Sequence, residues 1–143
     1  MIEALQVVLV LMLRLALTPQ AGTASANTVA SRQAEPEPVR SEDAASKAAE
    51  LYADRKFEKA LPEAEEAVAQ AWKEFGGDDY HTIAAEEFLA HLAVLNKDVD
   101  RARAIREETD RKLERLANPA IAEKVKVTRA EEYKETMPAG KGN

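Results

Sequence analysis

The sequence predicts an all-α protein built from two antiparallel helix hairpins, and three observations carry that expectation. The first is an internal repeat. Arg55-Lys56-Phe57-Glu58-Lys59-Ala60 and Lys97-Asp98-Val99-Asp100-Arg101-Ala102 share one pattern: a charged turn, an apolar residue, an acid, a base and alanine. They lie 42 residues apart, as do Ala48 and Ala90, and a fixed period of roughly 20–50 residues marks stacked repeats. The second is composition. Alanine dominates the apolar residues, Glu, Lys, Arg and Leu follow, and aromatics are only 5%, so the chain is rich in helix formers. The third is punctuation: Gly76-Gly77 and Asn118-Pro119 stop helices at the same 42-residue offset.

Each element follows from local signals. Val7 to Leu17 is an apolar run interrupted by Arg14, and Ala24-Ser25-Ala26 fits a signal-peptidase site. Residues 1–26 therefore read as a signal peptide, with an uncleaved membrane anchor as the alternative, and the protein as exported, periplasmic or secreted. Residues 27–40 are polar and contain Glu35-Pro36-Glu37-Pro38. Alternating prolines exclude helix, and this stretch has little to bury, so it reads as a linker. Ser41 can cap a first helix running to about Asp54, with Glu42 and Asp43 in its first turn. A second helix from Phe57 to Phe75 carries Ala60, Ala64, Ala67 and Ala71 on one stripe and ends at Gly76-Gly77. Trp72 on this helix is expected in the core or at a stacking interface. The third helix spans about Tyr80 to Leu95, and Asn96-Lys97-Asp98 turn the chain into a fourth, Val99 to Leu116. Residues 41–117 form the repeat domain. Within 118–143, Ala120 to Thr136 offers a poor stripe of Ile121, Val125, Ala130 and Tyr133, consistent with either a capping helix or a frayed tail.

Composition limits function. The net charge of −6 has bases interleaved with acids, and no basic stripe with aromatics favours nucleic acid. The absence of cysteine removes disulfides, zinc-thiolate sites and thiol catalysis. No P-loop, G-x-S-x-G, G-x-G-x-x-G or H-E-x-x-H motif occurs. His81 beside Asp78 and Asp79 is a weak metal signal; helix capping by Asp79 or Thr82 explains it better. Glu87 and His91 form an i,i+4 pair, read as exposed or groove-lining rather than as a proton-transfer couple. The expectation is a non-enzymatic chain without metal or cofactor.

With these residues laid out, the chain resembles tetratricopeptide repeats, especially the longer repeats of kinesin light chains. Their Leu-Gly-x-Asp-His-Pro-x-Thr link is similar to Phe75-Gly76-Gly77-Asp78-Asp79-Tyr80-His81-Thr82, and their Asn-Asn-Leu-Ala to Glu87-Phe88-Leu89-Ala90. The small residue at the helix crossing matches Ala48 and Ala90; the second-helix alanine matches Ala60 and Ala102. The link His and Pro are here Asp79 and Tyr80, and the paired Asn are Glu87 and Phe88. The resemblance covers about half the chain and implies a short right-handed solenoid whose first helices line a concave, peptide-binding face.

The residues matching that face are Ala45, Ser46, Ala49 and Tyr52 from one hairpin, with Glu87, Phe88, His91 and Val94 from the other. Relatives that clamp a C-terminal carboxylate use Lys, Arg and Asn there, and none is present. The resemblance thus implies a protein or peptide partner held by other chemistry, with this chain acting as an adaptor, chaperone-like holder or assembly factor of the cell envelope. The alternative is a self-assembling unit, a homodimer through its repeat ends, because two repeats are fewer than an independent stack usually needs.

If Ala24-Ser25-Ala26 is cleaved, the mature chain begins at Asn27. Intact-mass spectrometry of protein from the producing cell reads this directly, and a chain retaining Met1 favours the anchor.

Overall fold

The computed structural model describes residues 40–136, which form five α-helices and no strand. They are α1 (Ser41–Ala53), α2 (Phe57–Phe75), α3 (Tyr80–Leu95), α4 (Val99–Leu116) and α5 (Pro119–Thr136). The signal peptide or anchor, the linker up to residue 39 and the tail after residue 136 lie outside the described residues. Among the described residues no helix is long and apolar enough to cross a membrane.

The start of α1 differs from expectation in one residue. Arg40 is the extended N-cap, and its N–H donates to the Asp43 carboxylate at 3.4 Å. Ser41 is the first helical residue, and its N–H and hydroxyl each donate to Glu74 at 2.8 Å. That contact joins the start of α1 to the end of α2, so the two helices run antiparallel. Likewise, Arg115 near the end of α4 donates to Asp78 just before α3, at 2.7 and 3.1 Å.

Both tight turns repeat bond for bond. Arg55 and Lys97 occupy the left-handed region at φ 59° and 64°. In the first turn Arg55 N–H donates to Tyr52 C=O at 2.9 Å and Lys56 N–H to Leu51 C=O at 2.8 Å. In the second, Lys97 N–H donates to Val94 C=O at 2.9 Å and Asp98 N–H to Ala93 C=O at 2.8 Å. A non-glycine residue there costs about 1–2 kcal/mol, offset by satisfying the last helical carbonyls.

Alanine sets how the helices pack. Ala48, Ala60, Ala64, Leu89 and Leu92 form one buried cluster, with Leu51, Phe57 and Leu61 packed against it. Ala90, Ala93 and Ala102 form a second, with Val94 and Ile105 against it. Neither cluster contains a residue of α5. The central helix is α3, which packs on α2, α4 and α5.

Two sequence expectations are corrected. Trp72 is 56% exposed rather than core. One residue beyond Ala71, it turns about 100° off the buried stripe and lies over Gly77, where a Cβ would come within 2.7 Å of its ring. The C-terminal segment is helical throughout 119–136, but its inward stripe is not the apolar one. Val125 is buried and Ile121 half-buried, whereas Ala130 and Tyr133 face solvent and Arg129 and Glu132 face inward.

Ala60 and Ala102 are 0% and 2% exposed. Ala60→Leu or Ala102→Leu should each destabilise the fold by about 1–3 kcal/mol through overpacking. Thermal melts followed by circular dichroism should show both variants unfolding several degrees below the parent chain; unchanged melts would mean these positions are not close crossings.

Candidate functional site

The residues assigned to the concave face come from α1 and α3, and helix geometry places Tyr52, Glu87 and His91 toward one another. Tyr52 ends α1 and packs its ring against Phe57, Phe88 and His91 at centroid distances of 5.6, 5.8 and 5.6 Å. Glu87 and His91, one turn apart on α3, are buried rather than exposed, at 6% and 2%. Phe88 packs against the Ala48–Leu92 core, and Val94 against the cluster between α3 and α4. Ala45, Ser46 and Ala49 lie half-buried on α1, one to two turns before Tyr52.

What buries this floor is α5. Arg129 grips Glu87 with two bonds, Nε to Oε2 at 2.8 Å and Nη2 to Oε1 at 2.5 Å. The same guanidinium donates to Thr109 Oγ1 at 2.9 Å and to Asp110 at 2.8 Å. Thr109, itself fully buried, donates its hydroxyl hydrogen to Glu87. Three residues further along α5, Glu132 accepts from Arg106 of α4 at 2.9 Å. Another three on, Glu135 accepts the Tyr52 hydroxyl hydrogen at 2.9 Å. Two parallel N–H···O bonds between Arg and a carboxylate fix orientation as well as distance.

Hydrogen-bond accounting assigns the His91 tautomer. Tyr52 has one hydroxyl hydrogen, and it goes to Glu135. The contact of 3.2 Å between Tyr52 Oη and His91 Nε2 therefore requires the imidazole to donate from Nε2. Nδ1 is left without a hydrogen and faces Glu132 at 3.7 Å. The electrostatics agree with a neutral ring. Burial pushes His91 down to about 4, opposed by the Glu135 carboxylate. Burial pushes Glu132 up to about 8, outweighing the Arg106 guanidinium. The Tyr52 hydroxyl is also pushed up, by burial and then by its bond to Glu135, while Glu87 holds Arg129 more firmly protonated.

The link between α2 and α3 has a structural role. Asp79 caps α3, accepting from His81 N–H at 2.8 Å, and its carboxylate lies 2.7 Å from His81 Nδ1. Phe75 stacks on the imidazole at 4.3 Å, Thr82 donates to Gly76 C=O, and Asp78 turns away to Arg115. Among the described residues no three His, Asp or Glu side chains converge as a metal site.

Sequence reading missed Arg106, Thr109, Arg129, Glu132 and Glu135 as members of this site. The available signal was the i,i+3,i+6 series Arg129-x-x-Glu132-x-x-Glu135, continuing the face begun by Ile121 and Val125. No protein-family model, curated protein or solved structure matches this chain.

Were α5 to separate from this floor, His91 and Glu132 would make its docking sensitive to pH. They are faced by Tyr52 from α1, Glu87 from α3, Arg106 from α4, and Arg129 and Glu135 from α5. Undocked, His91 titrates near its ordinary 6.5 and Glu132 near 4.5; docked, they titrate at about 4 and about 8. Between those two ordinary values each state holds one proton, on His91 when apart and on Glu132 when docked, so docking is insensitive to pH. Above 6.5 the separated pair loses its proton while docked Glu132 keeps it. Closure then takes up a proton and weakens as pH rises toward about 8. Amide exchange across α5, corrected for its intrinsic pH dependence, should lose about tenfold protection over that interval. Glu132→Gln should abolish the slope, and an equal slope in that variant would assign it elsewhere.

Proposed function

We propose that this chain is an exported, tetratricopeptide-like binding module that holds a helical segment of another protein in the α1–α3 groove without chemical turnover. The observation that carries this reading is that Tyr52, Glu87 and His91, which the resemblance to tetratricopeptide repeats gives to a binding face, lie against a helix, α5. The stacking of the α1–α2 and α3–α4 pairs as two repeats is supported by their bond-for-bond equivalent turns and the buried alanines at matching positions. Export rests on Val7 to Leu17 followed by Ala24-Ser25-Ala26.

A second reading, self-association through the repeat ends, is favoured by one observation. Trp72 and Phe75 are 56% and 45% exposed at the end of α2, and large exposed aromatics often mark interfaces.

A photo-activatable side chain at Ala49, on the rim of the groove, tests the two against each other in the producing cell. The proposed function expects an adduct with a different protein, reduced about tenfold or more by Tyr52→Ala while helicity is kept. Adducts joining only two copies of this chain would overturn it.

A further inference from the structure

α5 is held in an unusual way. Of its eighteen residues only Val125 is buried, and Ile121 and Ala122 are half-buried. The rest of its attachment is polar: Arg129 to Glu87, Thr109 and Asp110, Glu132 to Arg106, Glu135 to Tyr52. Both hydrophobic clusters are complete without it. Its connection to α4 is Ala117-Asn118. Ala117 stands in the left-handed region at φ 49°, ψ 33°, and Asn118 Oδ1 accepts from the Ala120 and Ile121 N–H groups. Pro119 keeps the preceding residue out of helix, so α4 and α5 cannot merge into one rod and are joined by a hinge.

The vacated floor would specify what replaces it. The Glu87 carboxylate would keep the Thr109 hydroxyl and Arg106, whose Nε lies 3.8 Å away, but would lose the two-bond guanidinium that Arg129 supplies. Arg106 would lose the Glu132 oxygen that accepts from it, and the Tyr52 hydroxyl would lose its acceptor on Glu135.

We propose that α5 is the resident occupant of this groove, and that the partner displacing it is a helix of another protein with Arg, Glu and Glu at n, n+3 and n+6 and a β-branched apolar residue at n−4. This rests on the groove reading above and adds the chemistry of the partner and the competition that regulates its access. A tethered helix competes at high effective concentration, so the intact chain binds weakly until its own latch is loosened.

The test uses the full chain and a fluorescein-labelled synthetic peptide of residues 119–136, followed by anisotropy, with amide exchange reporting whether the chain's own α5 is docked. Arg129→Gln loosens α5 and leaves the groove untouched; Val125→Asp loosens it by a different contact and leaves every charged partner in place. Both variants should expose α5 to exchange and bind the peptide about tenfold or more tighter than the parent chain. A peptide with Arg129→Gln should bind to neither. Equal binding by parent and loosened chains would overturn the competition while leaving the groove reading intact. Absent binding by chains whose α5 is shown to be undocked would overturn the groove reading as well. Undiminished α5 protection in both variants would overturn the polar latch. A stable dimer of the parent chain in sedimentation, dissolved by the free peptide, would assign the groove to the α5 of a second copy and overturn a foreign partner.

Discussion

With alanine at the helix crossings, α1 to α4 approach one another closely yet bury little apolar area, and most other features of this protein answer to that constraint. Ala48, Ala60, Ala90 and Ala102 are almost wholly buried, but each removes far less surface from water than a leucine would. Close approach also leaves no room for bulk. The larger apolar side chains, Leu51, Phe57, Leu61, Val68 and Leu95, pack around the alanines only partly buried, and Trp72 lies outside altogether. The helix with most to bury, α3, takes the centre and is covered on three sides by α2, α4 and α5.

On the third side the covering is polar. Glu87 is the pivot, because a carboxylate at 6% exposure must be paired, and Arg129 pairs it with two bonds. Such a pair contributes less net stability than its short distances suggest, since both ions lose water. Its stronger effect is on register. Sliding α5 by one turn, about 5.4 Å, would separate Arg129 from Glu87, Glu132 from Arg106 and Glu135 from Tyr52 together. A polar network of several matched pairs thus specifies one placement where a few apolar contacts would tolerate several, even with Arg106 Nε buried without a partner among the described residues.

The same network supplies most of what attaches α5. Helices held by few apolar contacts populate the low end of the range of local stabilities. Here α5 covers the face that carries Tyr52, Glu87 and His91, with His91 Nδ1 3.7 Å from Glu132. These polar contacts meet on one helix, whereas α1 to α4 keep their own core and turns.

Much of this was legible in the residues themselves. Helix formers, the 42-residue period and the stops at Gly76-Gly77 and Asn118-Pro119 determine four helices and their tight turns, because these are local properties of the chain. The buried alanines were legible for the same reason: a stripe at helical spacing marks the inward face wherever the helix packs. Tyr52, Glu87 and His91 were expected on one face from the resemblance to tetratricopeptide repeats. What covers that face was decided only by tertiary structure. Arg129, Glu132 and Glu135 look like solvated charges on a poor amphipathic helix until Glu87, Arg106 and Tyr52 are brought opposite them, from 42, 26 and 83 residues away. An apolar stripe announces its burial through periodicity, because water is the same everywhere; a polar stripe is buried only where partners of matching charge and spacing wait, and those partners lie on other helices.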